Sequence, residues 1–132
     1  MTIEKTRKEF AKGYNCAQVV LMHFAEQYGM DCEKAAQISA HFGGGMMAGS
    51  ACGAFTGALM AIGLAGGEDG KTKCAEFRTR FIEKNGSCVC PNLLKFDLTK
   101  PEEAEEAMKS GRMMEFCPTL VKETIDILEE LL

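Results

Sequence analysis

Apolar residues recur at helical spacing through most of the chain and β-branched alternation is nowhere sustained, so an all-α fold with essentially no sheet is expected. The first helix is predicted from Thr2 to Lys12, where Gly13 stops it. A second runs from about Cys16 to Tyr28 and ends at Gly29, with Asn15 and Gln18 forming a capping box at its start. Asp31 reads as the cap of a third, which continues to about His41 and closes at Gly43. Gly43-Gly44-Gly45 then opens a glycine-rich loop leading into an apolar helix from about Ser50 to Ala65. Further helices are predicted over Lys71 to Lys84, from a Thr99/Glu102 capping box to Ser110, and from Pro118 to Leu131, with a short turn at Pro91-Asn92-Leu93-Leu94. The last carries Val121, Ile125, Leu128 and Leu131 on one stripe. The reading is one domain, residues 1–132: a bundle of about six helices with a glycine-rich loop before a central buried helix.

The central helix lies in a stretch from Phe42 to Gly67 that holds no charge. Nine glycines interrupt that stretch, and its helical part covers roughly 24 Å at 1.5 Å per residue. A hydrocarbon layer is about 30 Å thick, so a membrane span is not expected. Gly49, Gly53, Gly57, Ala61 and Ala65 recur every four residues and make a small-residue stripe suited to close helix packing.

Composition changes this picture little. Of the 132 residues, 46% are hydrophobic and 26% charged, ordinary for a globular protein, and the net charge of −4 comes without a basic stripe, which argues against nucleic acid as a partner. The charged N-terminus lacks the apolar run of an export signal, so a cytoplasmic protein is expected. In that compartment seven cysteines point to catalytic, redox-sensing or metal-bound thiols more than to a disulfide scaffold.

Four of the seven, Cys16, Cys52, Cys90 and Cys117, sit where helices are predicted to begin. Asn15 caps before Cys16, and the Cys-Pro steps at 90–91 and 117–118 place proline at the favoured first position. Unpaired amides and the helix dipole there favour thiolate, the form that attacks disulfides and binds metals. Two outcomes follow if the four ends converge. Four sulfurs can hold an iron–sulfur cluster or zinc, or adjacent pairs can cycle between dithiol and disulfide. Mutual repulsion of four thiolates tilts the balance slightly toward a bound cation, although disulfide formation relieves it too. In the exchange version Cys52 is the expected attacking sulfur, since Gly53 and Ala54 leave it accessible.

The runs Gly13-Tyr14-Asn15-Cys16-Ala17-Gln18, Cys52-Gly53-Ala54-Phe55-Thr56-Gly57, Cys90-Pro91-Asn92-Leu93-Leu94 and Cys117-Pro118 together resemble the C_GCAxxG_C_C family of redox-active proteins. The resemblance covers almost the whole chain and makes Cys90, not Cys88, the third family cysteine. It implies an all-helical protein, with genes often near transporter genes and a related module in split-Soret-type cytochromes. A redox partner protein or small thiol, and a transporter, are the partners this implies. Pro91-Asn92 departs from the family's charged pair, and Cys32, Cys74 and Cys88 are additional.

The remaining chemistry is sparser. Asp31 and Glu33 oppose ionisation of Cys32, Cys74 reads as packing, and Cys88 as either a resolving partner for Cys90 or a bystander. His23 and His41 read as structural. Met46-Met47 and Met113-Met114 offer thioethers that suit copper, or flexible core filler near the cysteines. Gly70-Lys71-Thr72 lacks the upstream glycine and strand of a phosphate loop. Amides of Gly44, Gly45 and Gly49 could still bind an anion or small cofactor. Beyond the cysteines there is no catalytic constellation, so both an enzyme and a non-catalytic sensor or partner-binding protein stay open.

Overall fold

The computed structural model describes all residues, Met1–Leu132, and is all-α: α1 (Ile3–Ala11), α2 (Cys16–Ala25), α3 (Cys32–Ile38), α4 (Gly53–Ala65), α5 (Gly70–Asn85), α6 (Cys90–Leu94), α7 (Pro101–Lys109) and α8 (Arg112–Leu131). The eight are the seven segments predicted as helices together with α6, foreseen as a short turn, so the bundle exceeds the expected count of about six. The sheet content is a single antiparallel bridge between Ala51 and Val89. No helix is long and apolar enough to cross a membrane.

The α2–α4 packing dominates, and the glycine stripe explains it. A Cβ on Gly53 would lie 3.0 Å from Ala17 N and from Cys16 Cβ, and one on Gly57 would lie 2.8 Å from Ala17 O. Backbones therefore touch where side chains are missing, and the two helices run in the same sense with their N-termini side by side. The opposite side of α4 packs Phe55 against Phe77 and Phe81 of α5, with ring centroids 5.5 to 5.6 Å apart. Leu120, Val121, Ile125 and Leu128 of α8 and Val20, Leu21 and Phe24 of α2 complete the core. The buried hydroxyls of Thr6, Ser39 and Thr124 each donate to a carbonyl four residues back, and no buried side-chain polar atom lacks a partner.

Caps decide several boundaries. The Asn15/Gln18 box forms with both bonds at 2.9 Å, and Asp31 accepts from Lys34 N at 2.7 Å. By contrast, the Thr99/Glu102 box does not form. Asp97 instead accepts from the Thr99 amide and hydroxyl while Glu103 accepts from Asp97 N, and Pro101 opens α7. The expected start of α8 at Pro118 is also corrected. The helix begins at Arg112 after Gly111 (φ 79°) and runs through Pro118, which forgoes only its own amide bond to the Met114 carbonyl.

The glycine-rich loop is a left-handed turn. Gly44, Gly45, Met46 and Met47 have φ of 63°, 69°, 60° and 55°. Met46 N donates to Phe42 O at 3.2 Å and Ser50 N to Gly45 O at 2.8 Å, which hold it closed. Each methionine there costs roughly 1–2 kcal/mol relative to a right-handed conformation. Both are exposed, Met47 to 68%, so the expected role of Met46 and Met47 as core filler is overturned.

Opposite signs are expected for two glycine substitutions in one helix. Gly57→Ala drives a methyl into the Ala17 backbone and should destabilise by about 1–3 kcal/mol, whereas Gly63→Ala, with open space around it, should stabilise by about 0.5–1 kcal/mol. Met47→Gly should stabilise by about 1 kcal/mol through relief of the left-handed strain. Urea unfolding of the reduced protein measures all three.

Candidate functional site

Three of the four predicted cysteines do sit at helix starts: Cys16 is the first residue of α2, Cys52 the cap of α4, and Cys90 the first residue of α6. Cys117 does not. It lies in the second turn of α8, because that helix starts five residues earlier at Arg112.

Distinct local devices bring them together. The Asn15 cap fixes the start of α2, and its amide group also donates to Ala40 O at 2.9 Å while Gln18 donates to Ala36 O at 2.9 Å, tying α2 to α3. Glycine packing then sets the α4 start beside it. The Ala51–Val89 bridge carries Cys90 in: Cys52 N donates to Cys88 O at 2.7 Å and Cys90 N to Ser50 O at 2.8 Å. Gly45 is obligatory here, since a Cβ would lie 2.5 Å from Ser50 N and 3.0 Å from Cys90 Cβ.

All four cysteines line one cavity of about 300 Å³, walled mostly by apolar side chains from the α1–α2 loop, α6, α7 and α8. Met113 and Met114 are in its wall together with Met108. Gly44 also lines it, whereas Gly45 is filled by Ser50 and Cys90 and Gly49 by the Asp97 carboxylate 3.1 Å from its Cβ position. Of the three predicted loop glycines, only Gly44 faces the site.

Electrostatics reverses the expectation of four thiolates. Burial pushes the Cys52 thiol up to about 11, although the amides of Ala54 and Phe55 at the helix start favour its ionised form. Burial likewise pushes Cys90 up to about 12, with repulsion from Cys52 and Cys117 adding to it. Cys16 is held well above the ordinary thiol range by its side-chain hydrogen bond to Cys117 and then by burial. Cys117 alone is lowered, first by the bond it accepts from Cys16 and further by Arg112. Of the four, only Cys117 is shifted toward its ionised form, beside Cys52 and Cys90, which keep their protons. Cys52 is 5% exposed and keeps its proton, which disfavours the attacking role expected for it, whereas Cys117 is shifted toward its ionised form.

Arg112 was missed by the sequence reading. Its Nε and Nη2 donate to Leu94 O at 3.1 Å and Leu93 O at 3.0 Å, and its guanidinium sits 4.3 Å from the centre of the Phe116 ring. It therefore closes the open carbonyl end of α6 while placing a fixed cation near Cys117. With α8 read as starting at Pro118, Arg112 lay outside any helix and drew no attention.

The remaining expected residues stand apart. His23 pairs with Glu129 at 2.9 Å and His41 is exposed, neither in the cavity. Cys32 donates to Met22 O at 3.6 Å, and its thiol is raised by burial and then by Glu26. Cys74 and Cys88 are half-buried and pack on the core outside the cavity.

Zinc and an iron–sulfur cluster, the groups anticipated from sequence, meet the site unequally. The sulfur donors have the right chemistry for both. However, no three Cys, His, Asp or Glu side chains are grouped so as to hold one metal ion, so a single tetrahedral zinc does not fit this arrangement.

Comparison with known proteins gives one match: residues 14–131 match the family described as "Putative redox-active protein (C_GCAxxG_C_C)". No curated protein and no solved structure matches the chain.

The raised thiols have a consequence for stability. Cys52 and Cys90 hold their protons to about 11 and 12 in the folded protein, against 9.0 ordinarily. Above pH 9 the unfolded chain thus loses protons that the folded one keeps at these two sites, so their contribution to stability should be level below that pH and fall from 9 toward 12. Urea midpoints of the reduced protein across pH 7–11 check this, and Cys90→Ala should flatten the slope.

Proposed function

The chain belongs to this C_GCAxxG_C_C family, and on that premise we propose that it is redox-active and that Cys16 and Cys117 form its reactive dithiol. What supports the reading is that Cys16 and Cys117 line one apolar cavity and shift each other's ionisation, Cys16 upward and Cys117 downward, with Arg112 adding to the latter. The co-reactant is a disulfide, either a small one that fits the cavity or one presented by a partner protein at its mouth.

The chemistry balances as follows. The Cys117 thiolate attacks one sulfur of the substrate disulfide, forming a mixed disulfide and expelling the other half as thiolate. Cys16 gives its proton to that leaving group. The resulting Cys16 thiolate then attacks the Cys117 sulfur, closing the internal disulfide and releasing the second half, which takes a proton from solvent. Two electrons pass from the protein's pair to the substrate, and the reverse sequence reduces the protein. Cys52 and Cys90, held protonated, are a reserve behind the first pair. Arg112 is a positioning residue, stabilising the thiolate without contacting substrate.

An iron–sulfur cluster is the second reading, favoured by the fact that all four cysteines reach one cavity from four segments. Those four would hold it, and it would supply one-electron transfer.

Equilibration in a graded dithiol/disulfide buffer, followed by alkylation and peptide mass mapping, tests the first reading. A Cys16–Cys117 cross-link should form before any other. Cys16→Ser should accumulate a mixed disulfide on Cys117, and Cys117→Ser should accumulate none. A first cross-link between other cysteines sinks the dithiol assignment, while visible absorbance with stoichiometric iron and sulfide after anaerobic purification favours the cluster.

A further inference from the structure

The donor set of the cavity is unusual in its uniformity. Four thiols line it, from Cys16, Cys52, Cys90 and Cys117, and three thioethers join them, from Met108, Met113 and Met114. No carboxylate, imidazole, ammonium or guanidinium group is in the wall. Its side-chain oxygens and nitrogens belong to Tyr14 and Asn15, and Asn15 is committed to the Gln18 amide and the Ala40 carbonyl. A hard cation such as magnesium or calcium finds no suitable ligand there, because it requires several oxygens.

Soft ligands select soft metals, and Cu(I) is the common biological ion that prefers thiolate and thioether. Coordination number separates it from zinc. Tetrahedral zinc needs four converging donors, and the protein groups no three of its Cys, His, Asp or Glu side chains for one ion. Two thiolates with a thioether nearby can satisfy Cu(I). Cys16 and Cys117 line the same cavity and shift each other's ionisation, and Met113 and Met114 precede Cys117 by four and three residues on α8, placing them one turn away in the same cavity wall. We propose that the Cys16–Cys117 pair, with Met113 or Met114 as an additional thioether ligand, is a binding site for one Cu(I) ion.

Charge balance agrees. Cu(I) on two thiolates leaves a net charge of −1, and every proton still on the pair is displaced to solvent. Arg112, anchored on the Leu93 and Leu94 carbonyls close to Cys117, offsets that charge in an otherwise apolar enclosure. The apolar wall also limits access of water and oxygen, which keeps copper in the reduced state. This site uses the same two sulfurs as the dithiol of the preceding section but does not depend on their exchange chemistry.

The test is anaerobic titration of the fully reduced chain with Cu(I) supplied as its acetonitrile complex, against a chromogenic Cu(I) chelator. Retention of one copper per chain, with sulfur-only coordination in X-ray absorption, is expected. Cys16→Ser and Cys117→Ser should each lose retention, and Met113→Leu combined with Met114→Leu should weaken it while leaving the thiols intact. Cys32→Ser and Cys74→Ser, outside the cavity, should bind as the parent does, and circular dichroism shows whether each variant is folded. Copper surrendered quantitatively by the reduced parent, nitrogen or oxygen ligands in the absorption spectrum, or full retention in the Cys16→Ser/Cys117→Ser double variant overturns the site. Mapping the disulfide in metal-free protein is a separate measurement, so either reading can fail while the other stands.

Discussion

The contact between the α2 and α4 backbones is the constraint on which the site rests. Gly53 and Gly57 let α4 approach Ala17 to a distance at which no side chain could stand between them. That approach places the two helix starts, and therefore Cys16 and Cys52, at one end of the molecule. The same end receives α6 through the Ala51–Val89 bridge and is crossed by the second turn of α8. A bundle with larger residues on the α4 stripe would keep its hydrophobic periodicity and lose this convergence. Gly53 and Gly57 of the family motif thus shape the site through packing distance.

Within the convergent end, two familiar effects oppose one another. A helix start favours a charged sulfur by about 0.3–1 kcal/mol, or about 2 in favourable buried geometry. Removing a thiolate from water can raise its pKa by as much as 3–5 units, each worth about 1.4 kcal/mol. Burial wins at Cys52, where the helix amides favour the thiolate and the thiol is still pushed up to about 11. The exception is the cysteine that has no helix start at all. Cys117 gains a donated S–H from Cys16 and the field of a guanidinium, and together they outweigh its burial. Position along a helix is thus a poor guide to which cysteine reacts, and the neighbouring cation a better one.

Much of the fold was legible because its signals are local. The Asn15/Gln18 box, the Asp31 cap, the Gly29 stop and the small-residue stripe each concern residues within one turn or one helix, and all appear where the pattern placed them. Of the neighbouring pair Cys88 and Cys90, only Cys90 lines the cavity. Misreadings arose where a local signal had two uses. Proline favours a first helical turn but is tolerated seven residues in, so Pro118 masked the true start of α8 and with it Arg112. Glycine triplets signal a loop, yet nothing in composition says that two methionines will follow them into left-handed geometry. Burial of the cysteines, which decides their protonation, depends on how separate helices close over them and is invisible in any single segment.

The proposed dithiol and the proposed copper site would exclude one another, because they draw on the same lone pairs. A Cys16–Cys117 disulfide has no thiolate left to offer, so oxidation of the pair releases the metal and metal occupancy protects the pair from oxidation. The two protonated thiols behind it, Cys52 and Cys90, do not interrupt this exclusion, since burial keeps their charge suppressed until strongly alkaline pH. What distinguishes the two states is net charge in a closed apolar space: neutral for a disulfide, −1 for a copper bis-thiolate. Arg112 does not move between them, because two backbone carbonyls of α6 hold it in place. The fixed cation therefore favours the reduced, charged states of the pair over the neutral disulfide. A permanently placed guanidinium beside one member of a buried sulfur pair lowers its tendency to be oxidised only as far as a thiolate is present, and Cys117 is the sulfur at which Arg112 favours that charge.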